Sequence, residues 1–244
     1  MNDFTRAFSF IGSHQPLLWQ KTAEHMELSG AALGIATVIA LPLGLWLGHL
    51  RRGSFLAINV SNVGRALPSL ALISIGMGLL GIGFWNVSVA LVVLAVPIML
   101  TNAYVAIEQA DPDIVDAARG MGMSGWQVFS RIKLPLGVPL LFAGIRTATL
   151  YVIATATLAA VGGGGGLGEI IVNQASYRFE GVLGAALWVA ALALVADLGL
   201  AQLQRVLTPR GLRRPGHPRL LAIRPAADAR ARSANLATAP GRPN

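Results

Sequence analysis

The amino-acid sequence contains no cysteine and few charged side chains. Without thiols, a disulfide framework, a cysteine nucleophile and a thiolate metal site are all excluded. Only 12% of the 244 residues are charged, whereas a typical soluble domain has about 25%, and 54% are hydrophobic. Since the mean hydropathy is also +0.61, this composition indicates a membrane protein.

Patterns for catalysis and nucleotide binding are missing as well. The four histidines lack the spacing of a metal site, and no credible Ser/His/Asp grouping occurs. Two G-x-G-x-x-G matches, in 76–81 and 163–168, lie within or after apolar runs instead of after a β-strand, so neither indicates a dinucleotide site. No P-loop sequence occurs either. We therefore predict no catalytic residue, metal or cofactor in this chain.

Five apolar stretches are long enough, or nearly so, to cross a bilayer, whose hydrocarbon core of about 30 Å needs about 20 residues per helix. They are Leu28 to Leu50, Ala66 to Gly83, Val87 to Ile107, Leu136 to Val161 and Gly181 to Leu203. We predict one all-α membrane domain over 28–203 with five transmembrane helices. Residues 1–27 then form an N-terminal segment, and the basic, proline-rich segment 204–244 is predicted to be a disordered tail.

The positive charges are distributed unevenly about these spans. Most of the 19 lysines and arginines lie in the loops near 51–65 and 119–133 or in the tail. Only Arg6, Lys21 and Arg178 lie on the opposite side of the predicted spans. By the positive-inside rule, the N-terminus is outside and the tail is cytoplasmic. The net charge of +8 is thus explained by membrane topology, and we predict no nucleic-acid partner.

The segment between the third and fourth spans contains two signals for the start of a helix. Asp111 followed by Pro112 fits an N-cap with proline at the first helical position. Ser124, with Gln127 three residues later, fits a capping box. We predict two short helices at the cytoplasmic face, the second of which ends where Pro135 begins the next span.

This predicted helix pair has one nearly bare face. Ala118 and Gly122 are expected to stand one turn apart on the same side of a helix. Such a face suits docking into a groove of another protein. An amphipathic helix pair that lies among the lipid headgroups fits the same residues equally well.

Seven residues of this segment stand at fixed spacing: Asp116, Ala117, Ala118, Gly122, Ile132, Leu134 and Pro135. Their order resembles the "EAA" signature of the membrane subunits of ABC importers, E-A-A-x3-G-x9-I-x-L-P, with Asp116 in place of the usual Glu. The resemblance implies a type I ABC importer permease fold. It also implies that these residues form a coupling helix that docks into a separate ATPase subunit, to which ATP hydrolysis belongs.

Further segments within 65–171, among them "LPSLALISIGMGLLGIG" and "GGGGLGEII", resemble permease subunits of osmoprotectant importers. That family takes up glycine betaine, choline, carnitine and related quaternary amines across the bacterial cytoplasmic (inner) membrane. The resemblance implies an identical or homologous second permease, two ATPase subunits and an extracytoplasmic substrate-binding protein. An aromatic cage for the amine is expected in that binding protein.

Three alternatives remain at the level of the sequence. An importer for another small solute, such as methionine, shares the coupling signature. An intramembrane enzyme would need converging catalytic groups within the spans, where only Arg146 and Asp197 are charged. A scaffold protein gives no reason for the coupling pattern.

The fourth span carries a set of hydroxyl groups that are candidates for lining the translocation path: Thr147, Thr149, Tyr151, Thr155 and Thr157. Threonines also pack and hydrogen-bond between membrane helices, and this packing role is the alternative that the residue type favours. Arg146 and Asp197 are predicted to form an ion pair, since charges within a bilayer usually find partners. The pair is either structural or part of a gate.

Five consecutive glycines, Gly162 to Gly166, follow the fourth span on the predicted outer side. Glycine gives the backbone more conformational freedom than any other residue. The run therefore predicts either a hinge between spans that tilt during transport or a simple connecting loop.

Overall fold

The computed structural model describes residues 2–50, 59, 62, 64 and 66–209. These residues contain helices and turns but no β-strand. The helices in chain order are α1 (Asp3–Ser13), α2 (Gln15–Leu50), α3 (Ser69–Leu80), α4 (Phe84–Glu108), α5 (Pro112–Gly120), α6 (Gly125–Val128), α7 (Leu134–Thr155), α8 (Gly168–Val172) and α9 (Gln174–Leu207). A π-helical turn, Phe129–Lys133, joins α6 to α7, and a 3-10 helix, Ala156–Gly162, follows α7. The loop cations Arg51, Arg52 and Arg65 and the tail from 210 onward lie outside the described residues.

The described residues contain four helices that are long and apolar enough to cross a membrane. These are α2, α4, the continuous helical stretch Gly125–Gly162 and α9. The prediction of five spans is wrong for 66–83, where α3 has only 12 residues. At about 1.5 Å per residue it is about 18 Å long, shorter than a hydrocarbon core. Pro68 precedes its first turn and Gly81, with φ of 80°, follows its last, so both ends are set locally.

Two of the spanning helices start well before their apolar stretches. Helix α2 begins at Gln15 instead of Leu28, and α9 begins at Gln174 instead of Gly181. The apolar pattern marks the part of a helix that tolerates lipid. The backbone hydrogen bonds continue into polar residues beyond that part. At about 1.5 Å per residue, the 36 residues of α2 extend over about 54 Å and exceed the thickness of a bilayer.

Helices α2 and α4 pack closely because α2 presents small side chains to α4. A β-carbon on Gly44 would lie 2.6 Å from the Leu100 carbonyl oxygen, and one on Gly48 would lie 2.6 Å from that of Tyr104. Helix α7 approaches α4 in the same way, since a β-carbon on Gly137 would lie 2.6 Å from a backbone oxygen of α4. Such contacts bring membrane helices together through van der Waals packing.

Helix α1 packs along the first turns of α9. Phe10 is buried against Gly181 and Gly184, where the missing side chains leave room for its ring. Between Tyr177 and Phe179 the backbone of α9 leaves helical geometry at Arg178, whose φ is 56° and ψ is −179°. The segment before this kink lies at the end of α9 that contacts α1.

Candidate functional site

The segment 111–135, here called the coupling loop, has both of the predicted helix caps. The Asp111 carboxylate accepts a hydrogen bond from the Asp113 amide at 2.9 Å, and α5 starts with proline. The Ser124 hydroxyl accepts from the Gln127 amide at 3.3 Å, while the Gln127 side-chain oxygen accepts from the Ser124 amide at 2.8 Å. These local hydrogen bonds satisfy amide groups at the starts of α5 and α6.

Gly122 forms the turn between α5 and α6 in a left-handed conformation, with φ of 82°. Its amide donates to the Arg119 carbonyl at 2.9 Å, and the Met123 amide donates to the Ala118 carbonyl at 3.2 Å. This pair of bonds is a Schellman motif, in which glycine is favoured because a β-carbon is strained at such a φ. The glycine of the signature is therefore explained by the geometry of the turn.

The predicted bare face of Ala118 and Gly122 is wrong. Helix α5 ends at Gly120, so Gly122 does not lie one turn further along the same helix. Ala118 is 1% exposed and packs with Val115 and Val128 inside the loop. Its small side chain lets α6 fold back onto α5, so the coupling loop is a helical hairpin with an apolar core of its own.

The outer surface of the hairpin carries large apolar side chains that have no cover within the described chain. Met121 is 75% exposed and Trp126 is 70% exposed. Together with three exposed neighbours they form what we call the coupling tip: Ile114, Asp116, Ala117, Met121 and Trp126. The sequence-based search missed Met121 and Trp126. In the sequence, the spacing of seven residues between Ile114 and Met121, equal to about two helical turns, was the available signal.

The last three signature residues connect the hairpin to the membrane. Ile132 packs against the core of the hairpin, and Leu134 packs near the contact between α4 and α7. The predicted helix end at Pro135 is wrong, because α6 continues through the π-helical turn into α7. The Leu134 amide donates to the Phe129 carbonyl five residues earlier, and Pro135 lies in the first turn of α7. A π-type turn of this kind accommodates an extra residue without breaking the helix.

Arg146 on α7 and Asp197 on α9 form a bidentate ion pair. Arg146 Nε lies 2.8 Å from Asp197 Oδ1, and Nη2 lies 2.8 Å from Oδ2. The remaining Nη1 of Arg146 donates to the Gln204 side-chain oxygen at 3.3 Å. The Gln204 side-chain nitrogen, Nε2, donates to the Pro139 carbonyl at 3.4 Å. Gln204 was missed from the sequence, although its position seven residues after Asp197 places it on the same side of α9. This network joins α7 to α9.

The five hydroxyl-bearing residues of the fourth span do not share one surface. Thr149 and Thr155 are buried, and the Thr149 hydroxyl donates to the Ile145 carbonyl of its own helix at 2.9 Å. Thr157 likewise donates to its own backbone, at the Ala154 carbonyl. Thr147 and Tyr151 are exposed, four residues apart on one side of α7.

The five glycines Gly162–Gly166, here called the outer glycine loop, are packed against the bundle. The Gly162 carbonyl accepts from the Gly83 amide at 2.8 Å, and the Gly166 amide donates to the Glu24 carboxylate at 3.0 Å. Gly163, Gly165 and Gly166 have φ between 73° and 84°, which favours glycine. A β-carbon on Gly162 would also come within 2.7 Å of the Ile73 side chain. Both ends of the loop are therefore tied to other helices.

A polar cluster beside the outer glycine loop was not identified from the sequence. Lys21 is ion-paired with Glu24 at 2.8 Å and with Glu169. His25, fully buried, has its Nε2 3.0 Å from the Ile153 carbonyl oxygen. The spacing of three residues between Lys21 and Glu24 was the only local signal, since Glu169 is distant in the sequence. Among the described residues no group of three or more His, Asp or Glu is arranged to hold a metal ion.

Comparison with known proteins gives matches over most of the chain. Residues 40–210 match the family model described as binding-protein-dependent transport system inner membrane component. A glycine betaine/carnitine/choline transport system permease protein of Bacillus subtilis is 37% identical over 205 residues, covering 84% of this chain and 94% of the relative. An osmoprotectant import permease protein of Salmonella typhimurium is 32% identical, covering 79% of this chain and 92% of the relative.

Solved structures share the fold. A chain of the MetNI methionine ABC transporter, in an inward-facing conformation, superposes with a TM-score of 0.69 at 21% identity, covering 81% of this chain and 99% of that chain. A chain of an amino acid ABC transporter gives a TM-score of 0.60 at 18% identity, with 81% and 95% covered. At these identities the likeness concerns the arrangement of helices alone.

Proposed function

The chain belongs to the family of binding-protein-dependent transport system inner membrane components, and we propose that it is the permease subunit of an ATP-driven osmoprotectant importer. The proposed solutes are quaternary amines such as glycine betaine, choline and carnitine. One observation carries this proposal: the relatives named for these solutes are up to 37% identical over 84% of the chain. The mechanism below assigns parts of the transport cycle to particular residues.

The coupling tip is proposed to dock into a cleft of a separate ATPase subunit. Exposed Met121 and Trp126 supply apolar area for this contact, and such aromatic side chains often dominate the energy of an interface. Asp116 adds a charge at its edge. The hairpin core supports the proposal, because it holds these side chains in place before any partner binds and so reduces the entropy cost of association.

The helix that follows the tip is proposed to transmit motion of the ATPase into the membrane. Helical structure is continuous from α6 through the π-helical turn into α7. The hairpin and Arg146 are therefore expected to move together. The ion pair between Arg146 and Asp197 then carries the displacement to α9. A role as part of a gate follows if the pair opens during the cycle, and a structural role follows if it does not.

The assembly is proposed to contain a second, identical or homologous permease, two ATPase subunits and an extracytoplasmic substrate-binding protein. The exposed side of α7 that carries Thr147 and Tyr151 is proposed to line the translocation path between the permeases. Thr149, Thr155 and Thr157 are assigned to packing, since they are buried or bonded to their own helix. The N-terminus is proposed to lie outside. Helix α9 continues to Leu207, so the cytoplasmic tail is proposed to begin at 209 instead of the predicted 204.

Reconstitution tests this function. The permease is assembled with its ATPase in proteoliposomes, and uptake of labelled glycine betaine, choline, carnitine and methionine is measured with the cognate binding protein for each solute. We expect ATP-dependent uptake of at least one quaternary amine and none of methionine. Uptake of methionine alone would replace the proposed solute class, and ATP-independent uptake of the amines would contradict the importer mechanism.

A further inference from the structure

The backbone at Arg178 is strained in a way that points to its side chain. Its φ of 56° with ψ of −179° is a combination that is largely restricted to glycine. At every other described position with positive φ the residue is glycine. Strain of this kind persists where the surrounding structure enforces it, and it is often found at functional sites. The backbone at Arg178 therefore makes its guanidinium group a candidate for a functional role.

Arg178 contributes to an open cavity of about 360 Å³ between α1 and the kink of α9, here called the outer basic pocket. Its charged and titratable lining consists of Arg6, His14, Arg178 and Glu180. Arg178 Nε lies 3.4 Å from a Glu180 carboxylate oxygen, yet the Arg178 side chain remains 76% exposed. Arg6 is exposed and forms no ion pair with any described residue.

The pocket therefore presents two guanidinium groups against one carboxylate. His14 is held in place, since its ring stacks on Phe10 with centroids 4.1 Å apart and its Nδ1 lies 2.9 Å from the Ser13 hydroxyl. The excess of positive charge favours an anionic ligand. A guanidinium group binds the two oxygens of a carboxylate or phosphate in parallel hydrogen bonds.

Tryptophans indicate where the pocket lies relative to the membrane. Exposed Trp19 and Trp46 stand on α2 about 40 Å apart, close to the thickness of a bilayer including its headgroups. Since tryptophan is enriched at both interfaces, they mark the two faces. Trp188 contacts Trp19 with ring centroids 5.6 Å apart, so it has the same depth. Arg178 lies ten residues before Trp188, about 15 Å further along α9 on the side away from Asp197.

We propose that Arg6 and Arg178 form an extracytoplasmic docking site for an acidic side chain of the substrate-binding protein. The proposal rests on the proposed function, which supplies this partner. The distance from the interface favours a carboxylate of a soluble protein over the phosphate of a lipid. Docking at this site places the partner at the end of α9, the helix that also carries Asp197.

The test measures affinity for the binding protein. The wild-type permease, with its ATPase, is reconstituted in nanodiscs of phosphatidylcholine. The dissociation constant of the osmoprotectant-loaded binding protein is then measured at low and high salt. R178G relieves the strained backbone and removes the charge, whereas R178K keeps the charge. R6Q removes the second cation on an exposed surface, and R205Q, at the opposite end of α9, is the matched control.

We expect R178G and R6Q each to weaken binding by about tenfold at low salt and to reduce its salt dependence. R178K should retain most of the affinity, R205Q should match the wild type, and R178G should not lower the melting temperature. Unchanged affinity in R178G and R6Q would overturn the docking site while leaving the importer function intact. A wild type that binds no osmoprotectant-loaded binding protein would instead count against the proposed function.

Lipid is distinguished by repeating the wild-type and R178G measurements in nanodiscs that contain phosphatidylglycerol. If the pocket binds a lipid phosphate, R178G will lose retention of phosphatidylglycerol and keep its affinity for the binding protein. That result would overturn the proposal as well.

Discussion

Glycine has different structural roles in the outer glycine loop and in the coupling loop. The outer loop has five glycines in succession, and other helices fill the space that their side chains would occupy. The coupling loop turns on Gly122 in open space, and its large side chains point outward. The outer loop completes its contacts within the chain, while the coupling loop leaves a surface for a partner. Substitutions in the two loops should therefore have opposite signatures in stability and in assembly.

The largest effect is expected at the coupling tip. Trp126→Asp should lower ATP-dependent uptake by about 100-fold or more, because a charge replaces an exposed aromatic anchor at the proposed ATPase contact. The melting temperature of the purified permease should not change. Co-purification of the ATPase measures docking directly, and Trp126→Phe is the control that keeps the ring. An ATPase that still co-purifies with Trp126→Asp in full would show that the tip is not the docking surface.

The second largest effect is expected at the ion pair of Arg146 and Asp197, which joins α7 to α9. Asp197→Asn leaves Arg146 without its carboxylate partner, and uptake should fall by about tenfold. Replacing both residues by leucine should restore part of that loss, since no unpaired charge remains. Gln204→Leu removes the 3.3 Å contact with Arg146 and the 3.4 Å hydrogen bond to the Pro139 carbonyl, but it leaves the two charges paired and should have a smaller effect. Assembly yield and uptake are measured together; a double variant no better than Asp197→Asn would mean that the two charges are not coupled.

Gly122 tests the turn of the coupling loop. Gly122→Leu places a β-carbon at φ of 82°, which costs about 1 to 2 kcal/mol and should disorder the hairpin. Uptake and ATPase co-purification should both decrease, by less than for Trp126→Asp. Gly122→Asn is the informative control, because asparagine tolerates left-handed backbone. Equal activity of the leucine and asparagine variants would contradict the explanation by the Schellman turn.

The smallest effect is expected in the outer glycine loop. Gly166→Ala, at φ of 84° and close to His25, should destabilise the folded permease by about 1 kcal/mol and lower its melting temperature by about 3 °C. Gly164→Ala, where φ is not positive, should do less. Co-purification of the ATPase should be unaffected in both. A slower transport rate at unchanged melting temperature would favour a hinge over a packed loop.

The parts of the coupling loop that were predictable from sequence depend on neighbours in the chain. Asp111 and Pro112, and Ser124 with Gln127, act over two or three residues, so their pattern is sufficient. The inward position of Ala118 was not predictable from helical spacing, because the helix ends at Gly120 and the hairpin folds back. Gly122 forms the turn that ends the helix. Helical spacing alone instead places Gly122 on one face with Ala118.

Features that depend on distant residues were missed or misjudged. The Gly166 amide is held by Glu24, 142 residues away, so a glycine run alone does not distinguish a hinge from a packed loop. The apolar stretch 66–83 is nearly as long as a span, yet Pro68 and Gly81 limit its helix to 12 residues. The pairing of Arg146 with Asp197 was predictable from the free-energy cost of an unpaired charge in lipid. That cost applies however far apart the two residues are in the sequence.

The π-helical turn at Phe129–Lys133 affects how the protein tolerates the loss of a residue. A π turn accommodates one residue more than an α-helix in the same span, so the helices on either side keep their mutual orientation. Removing a single codon inside this turn would convert it to ordinary α-helix and preserve the direction in which Arg146 points. The same deletion in α7 between Pro135 and Arg146 would rotate everything beyond it by about 100° and turn the arginine away from Asp197. The π-helical turn is thus the part of this continuous helix that best tolerates the loss of one residue.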